Sequence, residues 1–206
     1  MPLVSKKVFF GSFTFLVDEN VYEPAEDSFL FAENLDIDES SKIVDVGAGC
    51  GILSIIAAKK AREVFSVDIN KYAILCAYRN AEANGLADKI FFVQGDLLSS
   101  FAQGTEFDMI LFNAPYLQTE KEESSLLECS WAGGQNGRDV IDRFIDQAPE
   151  YLSAKGHILL MQSSLSGIEQ TFQRFTGKGL AVESIARQTL PFFEEIVLMV
   201  ARNAKK

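Results

Sequence analysis

The chain is poor in the residues that staple small secreted or metal-bound proteins together. Its 206 residues include three cysteines, Cys50, Cys76 and Cys129, and none stands in a C-x-x-C pair. A disulfide framework needs more of them and a structural zinc site needs them closer together, so neither is expected. The lone histidine, His157, lies inside an apolar stretch, where it reads as a packing residue. Basic residues are outnumbered, 19 Lys and Arg against 29 Asp and Glu, for a formal charge of −10. Tight binding to nucleic-acid phosphates asks for the opposite balance, so a nucleic-acid partner is not expected. No apolar run is long enough to span a membrane, and Met1-Pro2-Leu3-Val4-Ser5-Lys6-Lys7 has no hydrophobic leader core. Low-complexity segments and internal repeats are lacking as well. These absences lead to the expectation of a cytoplasmic protein without a metal, with one domain over 1–206: an extension over 1–36 and a core over 37–206.

What is present is a regular alternation. Val8 to Val17 reads as two short strands turning at Gly11-Ser12, a hairpin. Tyr22-Glu23-Pro24-Ala25-Glu26-Asp27-Ser28 opens a helix, with Pro24 suited to its first turn and Glu26 and Asp27 complementing its dipole. From residue 42 onward strands and helices alternate, which predicts an α/β fold with a mainly parallel sheet. Strands are expected at 42–46, 63–68, 90–94, 107–112, 157–161, 181–185 and 196–201. Helices are expected at 52–60 and 71–83, from near Arg138, and at 168–175.

Four strand ends carry polar residues, and in open α/β sheets that edge is where ligands bind. Asp45-Val46-Gly47-Ala48-Gly49-Cys50-Gly51 feeds a strand through a glycine turn into a helix. The spacing is G-x-G-x-G, without the final glycine of a dinucleotide fingerprint, since position 52 is Ile52. An acid immediately before that turn sits badly beside a pyrophosphate and suits a cofactor carrying a positive amino group and sulfonium. Asp68, about 20 residues on, is placed to accept the hydroxyls of a ribose, or else to cap the following helix. Asp96 can accept from an exocyclic adenine amine while Leu97 covers the ring; a plain turn aspartate is the bland alternative. Together these sites point to S-adenosylmethionine rather than a nicotinamide.

The fourth strand end is Asn113-Ala114-Pro115-Tyr116. The Asn113 amide oxygen and the Ala114 main-chain carbonyl can accept both hydrogens of one planar –NH2 group, and Tyr116 can stack on the π-system bearing it. A strand ending in a proline turn would also explain these residues. A loop of about two dozen residues follows, a length that is usually functional. It holds Glu120, Lys121, Glu122 and Glu123, and then Trp131-Ala132-Gly133-Gly134.

With these residues the chain resembles the class I methyltransferases, and more narrowly the HemK-type release-factor glutamine methyltransferases in their short archaeal and eukaryotic form. The resemblance rests on residues 22–28, 45–51, 68–70 and 113–116, with Trp131-Ala132-Gly133-Gly134 and Gly137-Arg138. It implies a Rossmann-like seven-stranded sheet with helices on both faces after the N-terminal hairpin. Ser28, Asp45, Gly47, Asp68, Asp96 and Leu97 would then line the cofactor, with Gly49 in the same turn, and Asn113 would hold the substrate amide. The family motif is usually Asn-Pro-Pro-Tyr, and Ala114 departs from it at the cost of some turn rigidity. The expected reaction is methyl transfer to a glutamine amide in a translation release factor. An adenine amine in DNA or RNA, a lysine, and a non-catalytic cofactor-binding scaffold are the alternatives. The resemblance also implies a small zinc-binding activator protein pairing along the sheet-edge strand at 90–93, unless the hairpin or the helix at 71–83 covers that edge.

Overall fold

The computed structural model describes residues 6–116, 134 and 136–204. The acidic run at 120–123 and Trp131, Ala132 and Gly133 lie outside the described residues. Lys6–Phe10 (β1) and Phe13–Val17 (β2) form an antiparallel hairpin. Glu26–Glu33 (α1) follows. Next come Lys42–Val46 (β3), Ile52–Ala58 (α2), Glu63–Asp68 (β4), Lys71–Ala83 (α3) and Ile90–Gln94 (β5). The chain continues through Phe107–Asn113 (β6), Asp139–Gln147 (α4) and Leu152–Ser163 (β7) to Ile168–Gly177 (α5), Leu180–Thr189 (β8) and Glu195–Asn203 (β9).

Seven strands form one sheet in the order β5-β4-β3-β6-β7-β9-β8. The first five run parallel and β9 is antiparallel to both neighbours. The central strands are apolar because both faces are covered: Ile43, Val44, Val46, Ile110, Leu111 and Phe112 are all buried. Order along the sheet reverses between β3 and β6. A crevice opens at such a reversal, because the connections leave the two strands on opposite faces. Among the described residues, no helix is long and apolar enough to cross a membrane.

The N-terminal hairpin is not a separate appendage. Asn80, buried on α3, accepts from Leu16 N–H at 2.8 Å and donates to the Leu16 carbonyl at 2.9 Å, so it pairs with β2 as another strand would. This docks the hairpin against α3 and sends α1 across the carboxyl ends of the central strands. Gly51 allows α2 to reach α3: a Cβ there would stand 2.9 Å from Ala77 Cβ, and its φ is +85°. That contact is between two helices.

Candidate active site

A cavity of about 270 Å³ opens at the carboxyl ends of β3, β4, β5 and β6. Ser28, Asp45, Gly47, Gly49, Asp68, Asp96, Leu97, Asn113, Ala114, Pro115 and Tyr116 all line it, so the residues expected to meet the cofactor and the acceptor amide are brought to one place.

One half is built on the glycine turn. Asp45 is buried at the end of β3 and accepts from Ser54 Oγ at 2.6 Å. Burial pushes its carboxyl up to about 7; the Ser54 bond opposes this and the charge of Asp68 adds to it. Gly47 and Gly49 both have left-handed φ, +67° and +57°, and the space where a Gly49 Cβ would stand is open. Asp68 ties the turn down, accepting from Gly49 N–H at 2.9 Å and from Asn70 N–H at 2.8 Å. The capping role open to Asp68 is taken by Asn70, whose side chain accepts from Tyr72 N–H at 2.9 Å. Asp68 is also raised by burial. Leu97 is buried with φ +51°. Asp96, partly exposed at the rim, is ion-paired with Arg143 of α4, so its carboxylate already holds a cation.

The other half centres on a residue the sequence reading gave a lesser part. Asp27, read from the sequence as a charge for the dipole of α1, is buried and collects four neighbours. Ser28 N–H donates to Asp27 Oδ1 at 2.6 Å and Ser28 Oγ lies 3.1 Å from it. The Tyr22 hydroxyl donates at 3.3 Å, the Tyr116 hydroxyl at 3.2 Å and Asn113 Nδ2 at 3.1 Å. Asn113 Nδ2 also lies 3.2 Å from Ser28 Oγ. A carboxylate only accepts, so the –NH2 of Asn113 must face Asp27 and its oxygen must face away. Asn113 Oδ1 is buried and has no hydrogen-bond partner among the described residues. An unmatched buried acceptor on a ligand cavity is costly unless a ligand donor completes it. Burial first, and then the charge of Asp27, hold both phenols above their ordinary range.

Three more residues frame the site. Ala114 N–H donates to the Met161 carbonyl at 3.2 Å, a bond that a proline there could not make. A Cβ on Gly137 would stand 2.3 Å from the Tyr116 carbonyl, so only glycine lets the backbone pack this closely against Tyr116. The buried guanidinium of Arg138 then donates to the Ser166 and Gly167 carbonyls, Thr171 Oγ1 and Asp142, fastening α4 to the start of α5. In the Gly137-Arg138 motif these two residues act as structural anchors. His157 lies on β7, does not line the cavity, and is lowered chiefly by burial.

Comparison with known proteins agrees with this architecture. The family described as the methyltransferase small domain matches residues 14–129. A Methanocaldococcus jannaschii protein, provisionally named as a protein N5-glutamine methyltransferase, is 41% identical over 86% of this chain and 90% of its own length. The methyltransferase HEMK2 of Mus musculus is 35% identical over 78% of this chain and 80% of its own. Among solved structures, the E. cuniculi Mtq2–Trm112 complex, described as responsible for methylating the translation termination factor eRF1, matches with a TM-score of 0.66 at 23% identity. That match covers 90% of this chain and 99% of the solved one, and it bears on the fold alone. The chain belongs to the methyltransferases, within the HemK-type protein N5-glutamine methyltransferases.

Proposed function

We propose that this methyltransferase uses S-adenosylmethionine to methylate the side-chain amide nitrogen of a glutamine in a translation release factor. The observation that carries the reading is Asn113 Oδ1, a buried acceptor without a partner among the described residues, held in that orientation by Asp27 and Ser28. The residues on the cavity fit the cofactor. Asp45 offers a buried carboxyl to a cation, Asp68 offers acceptors to a sugar, and the open side of Gly49 admits close approach. Asp96 would meet the adenine amine beside Arg143, and Leu97 would cover the ring. When bound, the cofactor supplies an electrophilic methyl group.

The chain's own part is to hold the acceptor. An amide nitrogen is a weak nucleophile because its lone pair is delocalised into the carbonyl. Asn113 Oδ1 takes one of its hydrogens and the Ala114 carbonyl takes the other, which removes rotational freedom before reaction. Both are oxygen dipoles, and they favour positive charge growing on nitrogen. Tyr116, pinned through its hydroxyl to Asp27, presents its ring as a wall. Neither phenol is available as a base, since burial and Asp27 keep both protonated. The proton can depart after transfer.

A small zinc-binding activator is the partner this reading expects, added along β5. That strand is at the sheet edge, and Phe91 on it is 52% exposed. Helix α3 covers the opposite face, where Tyr78 meets Phe92 edge-on with ring centroids 5.4 Å apart. Tyr72, Leu75 and Tyr78 repeat along the outer side of that helix and are themselves partly exposed. An edge strand with bare aromatics and an apolar helix face beside it suits strand addition by another chain. A translation factor as substrate would place the enzyme in the cytoplasm.

The test sets a purified release factor and an adenine-containing oligonucleotide side by side with labelled S-adenosylmethionine. Label on a release-factor glutamine is expected. Label on the oligonucleotide or on a lysine would overturn the reading.

A further inference from the structure

The turn joining β8 to β9 carries Phe192 and Phe193, exposed to 98% and 97%. Their φ values are +64° and +63°. Side chains with a Cβ resist that backbone conformation, and two successive positive φ in a hairpin turn are ordinarily met by Asn, Asp or Gly. Here the strained positions hold two phenylalanines that bury nothing. Local rules broken without a packing return mark sites kept for another purpose.

The turn is fixed to the acceptor side of the cavity. Leu190 N–H donates to the Glu194 carbonyl at 2.7 Å and closes the turn. Ser163 Oγ, at the end of β7, donates to Glu194 Oε1 at 2.5 Å, and Glu195 N–H donates to Ser164 Oγ at 3.0 Å. β7 is the direct neighbour of β6, with Met161 opposite Asn113. β9 is one strand further, so the tip stands roughly 10 Å along the sheet from the β6 end, at the usual strand spacing. Leu190 and Tyr116 pack against the same core cluster, and the charge of Glu194 reaches the Tyr116 phenol. Leu165, 59% exposed, is on the short helical turn that follows β7.

We infer that Phe192 and Phe193 are an anchor for the protein substrate, entering an apolar recess on the release factor beside the loop that carries the target glutamine. This rests on the function proposed above. Aromatic side chains are the typical anchors of protein interfaces, and paired aromatics on a rigid turn lose little freedom on docking. Stacking on nucleic-acid bases is disfavoured by charge. Base-stacking platforms lie in basic grooves, whereas Glu194 and Glu195 flank this tip on a chain of net charge −10.

The test compares the full chain with the variant carrying Phe192→Ser and Phe193→Ser. KM for the intact release factor should rise about tenfold or more. kcat should stay within about twofold, and cofactor affinity should not change. Replacing both by Gly should give the same KM defect without lowering the melting temperature, because the strained backbone is relieved. Replacing both by Leu should recover much of the lost affinity. An unchanged KM in the Ser variant overturns the anchor, as does a melting temperature lowered in both the Ser and Gly variants. Unchanged KM with lost affinity for a single-stranded oligonucleotide overturns it in favour of base stacking. If the unsubstituted chain never methylates a release factor, the substrate assignment fails and the anchor with it. That deficit would be visible without any substitution.

Discussion

Asn113 and Asp27, 86 residues apart in the chain, are joined by a 3.1 Å hydrogen bond that turns the asparagine's oxygen away from the Asp27 carboxylate. The bond sets which end of the amide faces the cavity. Asp27→Asn keeps the shape but can donate as well as accept, so Asn113 is no longer held in one orientation. We expect kcat to fall roughly tenfold to a hundredfold, the scale of one lost buried bond to a charged group. Cofactor affinity, measured by calorimetry, should stay within about twofold. Asn113→Ala should abolish detectable turnover, a loss of at least about a hundredfold, again with cofactor binding nearly intact. Loss of cofactor affinity instead would place Asn113 in the other half of the site.

Cofactor binding should depend on pH through Asp45. With its carboxyl held up at about 7, the folded protein keeps this proton where the unfolded chain, near 4, has lost it. Its burial therefore lowers stability as pH rises from about 4 to about 7 and changes nothing further above that. A bound cation favours the ionised form, so affinity for S-adenosylmethionine should weaken below about pH 7 and level off above it. The slope from one such proton is at most about tenfold per pH unit. Asp68, also raised by burial, titrates in the same direction, so Asp45→Asn should retain only the Asp68 share. A wild-type dissociation constant that is flat from pH 5.5 to 7.5, the range set by these ordinary carboxylate and perturbed values, contradicts the assignment.

The alanine in the acceptor motif has a compensation that its sequence context conceals. Restoring the usual proline, Ala114→Pro, would restrict the unfolded chain but remove the bond to the Met161 carbonyl. A proline replacing a bonded N–H costs more than it returns. The variant should be less stable by about 1 kcal/mol, lowering the melting temperature by roughly 2–4 °C for a chain of this size. Turnover should change less than about threefold, since the position 114 carbonyl is kept. A clear rise in melting temperature would show that the bond contributes little.

The proposed partner surface is best probed at Phe91. Phe92 packs edge-on against Tyr78, so a charge there disturbs the α3 contact as well as the edge. Phe91 stacks on Phe65 at 4.8 Å and leaves half its surface outside. Phe91→Lys should weaken co-purification with the proposed activator at least about tenfold while circular dichroism stays that of the parent. Co-purification at parental yield would remove β5 as the docking strand.

Much of this was legible along the chain, because the signals are local. Alternating apolar runs and turns located the sheet strands and helices, with α3 and β5 ending where their patterns end, since period and turn chemistry act over a few neighbours. Asp45, Asp68, Asp96 and Asn113 could be picked out because each stands at or beside the carboxyl end of a sheet strand, the edge where such sheets bind ligands. The hub at Asp27 was not visible. An acid in the first turn of a helix is ordinarily a solvated dipole partner, and only the path of α1 over the β6 end buries it among Tyr22, Asn113 and Tyr116. The pairing of Asp96 with Arg143 and the bond from Ala114 to Met161 likewise join residues on different elements. No local signal along the chain singles out Phe192-Phe193; only the tertiary structure shows them turned outward, at a tight hairpin that leaves no layer of protein to bury them. Spacing in sequence decides which elements form, while hydrogen-bond direction and burial depend on how those elements pack.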